Sequence, residues 1–434
     1  YTCLGIGGHD RSGKRGAETR SAQSFGTGQS GRQPVMSVTD TSRPLINKIQ
    51  AIASAVMGFG VLAIGAGFWV EPESIYQSYL IGWLFWNGVA VAFLGLLMLH
   101  HIVGGDWGFV NRRFLEAGAM TTAVTALMSI PILLGMSHLY VWANPASVPA
   151  ELEHVFHEKA PYLNLGFFYV RAAVYFLFWI GTAVLLNLWS ADVDKTGSHS
   201  FRVKARLLSA PGMLVYVLVY TFYTIDFAMS LELHWMSSIF ALLMMVGGTL
   251  STLSILVILM WQFSKTEPLS KVLVRGRFHD IGNLMLAFTM LWTYMAFSQY
   301  LIGWAGNLPE EAGFYNKRLD HGLQNVALIL VVLHFVVPFV LLLMRPIKKA
   351  PALISMVGLL LICMRVVDLW WFVKPSFAGH PGSHFAWTDV AAPIGLGGIW
   401  LFAFCLFLKS KLILPVYESH HDRPPTKHEV YLHG

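Results

Sequence analysis

The sequence predicts an all-α polytopic membrane protein with about ten transmembrane helices, and three observations carry that expectation. Hydrophobic residues make up 55% of the 434-residue chain and charged residues only 12%, more apolar surface than one soluble core hides. Apolar runs near 20 residues, the length that crosses ~30 Å of hydrocarbon at ~1.5 Å per residue, recur ten times. Their pattern lacks the alternation of an outer-membrane barrel strand, and lipid leaves each span to satisfy its own backbone.

The first 44 residues form a polar segment expected to be flexible. It is rich in Gly, Ser and Arg and has no apolar run of signal-peptide type, so residues 1–35 read as a disordered leader or as sequence upstream of a start at Met36. A transmembrane domain over 45–413 follows, with spans expected near 46–70, 79–103, 115–138, 164–189, 209–229, 235–262, 280–304, 321–344, 351–373 and 387–410. Residues 414–434 complete the chain as a polar tail. Helices 5 and 6 are separated only by the short turn from Asp226 to His234. Pro131 and Pro338 interrupt helices 3 and 8.

Orientation follows from the basic residues. The N-terminal segment, the C-terminal end and the connections after even-numbered helices hold 24 Lys and Arg, against four, Lys159, Lys317, Arg318 and Lys374, in the opposite connections. That imbalance predicts both termini on the cytoplasmic side. The net charge of +6 is scattered over these short loops rather than gathered into a stripe, so topology explains it and nucleic acid is not an expected partner. Cys3, Cys363 and Cys405 form no C-x-x-C pair, which argues against disulfides, zinc, iron–sulfur clusters and covalent haem within this chain. His334 lies near the middle of helix 8 with no second mid-membrane histidine to match it, so non-covalent haem is not expected either.

Charges inside the hydrocarbon cost on the order of 2.5–3.5 kcal/mol each even on the lenient insertion scale, so each needs a partner, water or a function. Arg171, roughly 10 Å into helix 4, and Asp226, at the end of helix 5, fall at similar depth and are expected to meet. Arg365 and Asp368 share one face of helix 9. Both pairs admit two readings, a buried ion pair fixing helix register or a functional pair. Near the other side, His100, His101 and Asp106 read as solvated helix-end residues. Asn283, Tyr294 and Ser298 share a face of helix 7 running from His279 and Asp280 toward Gln299. That face lines a path for water and protons or makes ordinary interhelical hydrogen bonds. Tyr79, Trp83, Trp86 and Asn87 form a stripe on helix 2 that an aromatic belt explains better than a flat bound ring.

Four stretches are more particular. They are H-E-K-A-P-Y-L-N (157–164), R-A-A-V-Y-F-L-F-W (171–179), D-F-A-M-S-L-E-L-H-W (226–235) and A-F-S-Q-Y-L-I-G-W-A-G-N-L-P-E-E (296–311). Together, from about Pro44 to the end of helix 10, they resemble the F subunit of bacterial alternative complex III, a quinol:electron acceptor oxidoreductase, within the NrfD-like, polysulfide-reductase-type membrane anchors. The resemblance implies two four-helix bundles, helices 2–5 and 6–9, flanked by helices 1 and 10 in the bacterial inner membrane. It implies a sister NrfD-like C subunit, an iron–sulfur B subunit and haem c subunits as partners, with haem and iron–sulfur clusters confined to them. Menaquinone or ubiquinone is the implied ligand.

Carried onto this sequence, the quinone-pocket candidates are Arg171, Asp226, Glu232 and His234. Glu232 stands where the family pattern has Asp, and Phe227 where it often has Trp. The candidates for a proton path are His279, Asp280, Asn283, Tyr294, Gln299, Arg365 and Asp368. A subunit of this kind is not catalytic alone, because it binds quinol without carrying electrons away. The rival readings are a secondary transporter, which would place helix breaks at corresponding positions of two halves, and a purely structural anchor.

Overall fold

The computed structural model of the chain describes residues 41–196, 200–319, 323–377 and 385–414. The expected leader, including Met36 and Cys3, and nearly all of the expected C-terminal tail lie outside the described residues. Every regular element among the described residues is helical, and ten helices are long and apolar enough to cross a membrane. The chain is an all-α, multi-pass membrane protein whose environment is a lipid bilayer.

The ten helices are α1 (Ser42–Val70), α2 (Pro72–Val103), α3 (Asp106–Leu134), α4 (Leu165–Thr196), α5 (Ser200–Phe227), α6 (Phe240–Phe263), α7 (Arg275–Gly306), α8 (Leu323–Leu343), α9 (Pro351–Val373) and α10 (Thr388–Lys409). All ten expected spans are present. The largest shifts are at α3, which begins at Asp106 instead of 115 because Arg112, Arg113 and Glu116 are neutralised on one helical face and so continue the helix, and at α5, which begins at Ser200 instead of 209. Short helices at Glu153–Lys159 and Pro309–Leu319 cap the connections after α3 and α7.

Packing divides the helices as the implied architecture requires. In one bundle α2 packs on α3, α3 on α4, α4 on α5 and α5 back on α2; in the other α6 packs on α7, α7 on α8, α8 on α9 and α9 on α6. The bundles meet where α2 lies against α6 and α9, and α1 with α10 closes the flank of α2. This central position explains why α2 is apolar all round, with nearly every residue from Ile75 to Met98 buried, whereas α1 buries only a thin stripe. The α1–α10 contact is made by glycine. A β-carbon on Gly60 would lie 2.1 Å from the α-carbon of Gly395, so no side chain fits between the backbones.

Contacts between connections fix two faces. On the first, Lys159 donates to the Leu233 carbonyl, Lys317 reaches Glu232 at 3.0 Å, and Lys374 meets Asp389 at 3.1 Å. On the second, the Thr41 amide donates to the Glu267 carbonyl at 3.2 Å, Arg277 pairs with Asp106 at 2.5 Å, and Lys411 with Glu116 at 2.7 Å. The two ends of the described chain therefore share the second face.

Candidate functional site

The first bundle carries a polar core at each end. Toward the first face, Arg171 is held six residues inside α4 and Asp226 ends α5, so two antiparallel neighbours place them at one depth. Arg171 Nε donates to Asp226 Oδ2 and its Nη2 to Oδ1, both at 2.8 Å. This two-pronged clamp fixes the carboxylate plane as well as its charge. Tyr175, one turn along α4, donates to Asp226 Oδ2 at 2.6 Å. The guanidinium lies under the rings of Tyr162 (3.9 Å) and Phe167 (4.3 Å), which stabilise it where water is scarce. Its Nη1 donates to the Tyr162 carbonyl at 2.9 Å. The hydroxyl of Tyr162 is buried without a partner among the described residues. Burial pushes that hydroxyl, which lies outside the spans, above its usual pKa, and the Asp226 charge adds to the shift. Tyr162 therefore stays protonated and can donate.

Toward the second face lies a larger ionic cluster. Glu116 accepts from Arg112 and Arg113, both at 2.9 Å, from Ser190 at 2.6 Å and from Lys411 at 2.7 Å. Arg113 also reaches Asp194. Glu116 and both arginines are almost fully buried. Burial lowers the pKa of Lys411, outside the spans, and the Glu116 charge opposes that shift. The two cores are joined by the buried stripe of α4, where Tyr175 and Asn187 lie about 18 Å apart at ~1.5 Å per residue. Between them lie Asn87, Thr125, Trp179 and Tyr223. Thr125 donates to Asn87 Oδ1 at 2.8 Å, while Asn87 Nδ2, Trp179 Nε1 and the Tyr223 hydroxyl are buried without partners among the described residues. Buried polar atoms of this kind are the usual seats of ordered water or ligand.

The sequence-derived candidates separate in space. Arg171 and Asp226 come together, but Glu232 and His234 do not join them. Glu232 instead takes Lys317 at 3.0 Å and approaches Arg318 at 3.6 Å, tying the 5–6 turn to the helix Pro309–Leu319, and His234 is exposed. Arg318 is fully buried, with Phe314 stacked 3.4 Å below its guanidinium and the Phe372 carbonyl accepting at 2.6 Å. Burial lowers its pKa to about 9 against the pull of Glu232, which leaves it charged at neutral pH. The 5–6 turn is therefore a strut between the bundles. Its alternation of Leu231, Leu233 and Trp235 inward sets Glu232 and His234 on the opposite side.

The second-bundle candidates fall into three places. His279 and Asn283 approach at 3.4 Å, Asn283 accepts from Lys348 at 2.7 Å, and Asp280 lies 3.7 Å from Arg277 on the second face. Gln299 accepts from Ser237 near the first face. Arg365 and Asp368 are paired inside, the guanidinium lying so close over Gly247 that no β-carbon fits there. Asn283 and Tyr294 are on the exposed face of α7, and its buried polar stripe is Thr289, Trp292 and Gln299.

His100 and His101 are likewise not solvated. His100 is buried beside Trp107 and His101 packs edge-on to Phe201, next to the Glu116 cluster. Sequence reading missed Tyr175, which the i+4 spacing from Arg171 signals, and the role of Arg112 and Arg113, which read as loop charges. It did not anticipate Trp292, whose ring lies tilted 4.0 Å from that of His334.

No family model matches this chain, and no curated protein matches it.

Proposed function

We propose that the chain is a membrane subunit of a bacterial respiratory or photosynthetic quinol-oxidising complex, of the NrfD-like type, seated in the inner membrane with both termini cytoplasmic. The observation that carries this reading is the clamped carboxylate of Asp226, buried near the first face with a guanidinium behind it and two phenols beside it. The resemblance of the four sequence stretches supports it, and the excess of Lys and Arg on the second face supports the orientation.

Oxidising a quinol removes two electrons and two protons, and the carboxylate is the group suited to receive a proton. A quinol hydroxyl entering beside Tyr175 would give its proton to Asp226 Oδ2, with Arg171 holding the carboxylate in place; once Asp226 has passed that proton on it would take the second, and Tyr162 would donate to a carbonyl oxygen of the quinone so formed. The electrons would leave to iron–sulfur and haem c subunits, and the sister C subunit would complete the membrane part. The buried polar column toward Glu116 gives protons a route across the first bundle. The quinone, menaquinone or ubiquinone, is the only ligand the reading assigns to this chain.

Asp226→Asn keeps the shape and removes the proton acceptor. In the purified native complex it is expected to lower quinol oxidation about 100-fold, the lower end of general-base effects, with the same companion subunits present. Undiminished turnover in an intact complex would refute the assignment of quinol chemistry to this carboxylate.

A further inference from the structure

The short helix Arg345–Lys349 joins α8 to α9 at the second face and packs on both α7 and α9. Three of its five residues are cationic, and the sequence holds no Asp or Glu between Leu323 and Val367 to offset them. Lys348 is 6% exposed, yet among the described residues it meets no carboxylate. Its stem crosses α7 at Gly282, where a β-carbon would lie 2.8 Å from Lys348 Cγ, and its Nζ donates to Asn283 Oδ1 at 2.7 Å. That bond turns the amide nitrogen of Asn283 toward His279 Nδ1, 3.4 Å away. An amide nitrogen only donates, so Nδ1 accepts and the imidazole hydrogen sits on Nε2.

Other cations of this face have opposite charges, Arg277 with Asp106, Lys271 with Glu267 and Lys411 with Glu116. Here the groups left over are all donors: two N–H of Lys348, Nε2–H of His279, and the exposed heads of Arg345 and Lys349. All three cations stand within electrostatic reach of His279, and the carboxylate opposing them, Asp280, lies 3.7 Å from Arg277. A lysine that only snorkelled would carry its ammonium out to water. Lys348 is instead folded onto α7 through the slot that Gly282 leaves, and an ammonium buried without an opposite charge is costly. From Asn283 the exposed side of α7 continues toward the bilayer centre as Ala287, Met290 and Tyr294, about one turn apart. A ligand answering both parts carries an anion and a hydrocarbon chain.

We propose that this corner of the second face binds an anionic phospholipid, its phosphate among Arg345, Lys348 and His279 and an acyl chain along Ala287, Met290 and Tyr294. Arg345 meets the phosphate oxygens with its planar fork and Lys348 as a point charge. Basic pockets between membrane helices recognise head groups in this way. Free phosphate would satisfy the cations and leave the apolar stripe unused.

The test uses the full chain, delipidated in detergent and titrated with phosphatidylglycerol or phosphatidylcholine, the bound lipid being counted by native mass spectrometry. Phosphatidylglycerol is expected to bind about tenfold more tightly than phosphatidylcholine. Arg345→Gln and Lys348→Met should each weaken it about fivefold, the effect of one interfacial cation. Lys271→Gln, which removes a cation already paired with Glu267, should leave it unchanged. Equal binding of the two lipids, or unchanged affinity in Arg345→Gln and Lys348→Met, would overturn the proposal. Millimolar inorganic phosphate should not displace the lipid; full displacement would give the cations to a free anion and overturn it too. In the native complex, Lys349 should become open to amine acylation on delipidation and be protected again by phosphatidylglycerol. Protection that survives delipidation would hand the surface to a neighbouring subunit and contradict the lipid. If Lys348→Met fails to fold, Arg345→Gln, whose side chain is exposed, decides the matter. None of these measurements involves quinol, so a failure here is distinct from a failure at Asp226.

Discussion

Replacing Glu116 by alanine is expected to be the most destabilising single change in the protein. Arg112 and Arg113 on α3 and Lys411 at the end of α10 converge on this carboxylate, and among the described residues Asp194 would remain to balance Arg113. Removing one partner of a buried ion pair costs about 3–5 kcal/mol because a charge is stranded out of water. Here one carboxylate serves three cations at once, so the cost should reach the top of that range. The measurement is the fraction of detergent-solubilised protein that stays monodisperse during a thermal ramp, with Glu116→Gln retaining part of the hydrogen bonding and falling between. A Glu116→Ala protein as stable as the parent would mean that the cluster is hydrated and contributes little.

The second large effect separates structure from chemistry at the other end of the same bundle. Arg171→Met alone strands Asp226 and is expected to cost about 3–5 kcal/mol, as is Asp226→Leu alone. Combining them leaves neither charge, and buried pairs replaced by apolar residues of similar volume are often neutral. The double variant should regain most of the lost thermal stability. Its quinol turnover in the native complex should remain as low as that of either single variant. Recovery of both stability and turnover would make the pair a register lock and nothing more. Tyr175 adds a complication that the design must respect, since its hydroxyl donates only to Asp226 and would lose its partner. Tyr175→Phe is the appropriate background.

The fold was legible because its cause is simple. Spans of 20 apolar residues have few alternatives in a bilayer, and all ten are present within a few residues of expectation except where charge intervened. At α3 the rule that loops carry charge failed, because Arg112 and Arg113 have their counterions on α3 itself and on α4. The meeting of Arg171 and Asp226 followed from counting depth along two antiparallel helices. Depth does not give azimuth, however. Tyr294 and Asn283 share a face of α7 as periodicity requires, yet it is the outward one, and only packing against α6 and α8 decides which face turns in. Glu232 and His234 looked like pocket residues because they adjoin Asp226 in sequence. In a turn, successive side chains diverge, and Glu232 is drawn to Lys317 and Arg318, about 85 residues away along the chain.

His334 was legible as a lone mid-membrane histidine, and its partners were not. Trp292 comes from another helix, at a sequence separation that no local pattern connects. The π turn that carries His334 has no reliable signature beyond Pro338.

The account rests on Asp226 facing a quinol head group. Photolabelling native membranes with an azidoquinone, followed by peptide mapping, tests this most directly. The account predicts label in the segments 157–179 and 226–235, suppressed by excess quinol and much reduced in Asp226→Asn. Label confined to other subunits, with none in either segment, would contradict it.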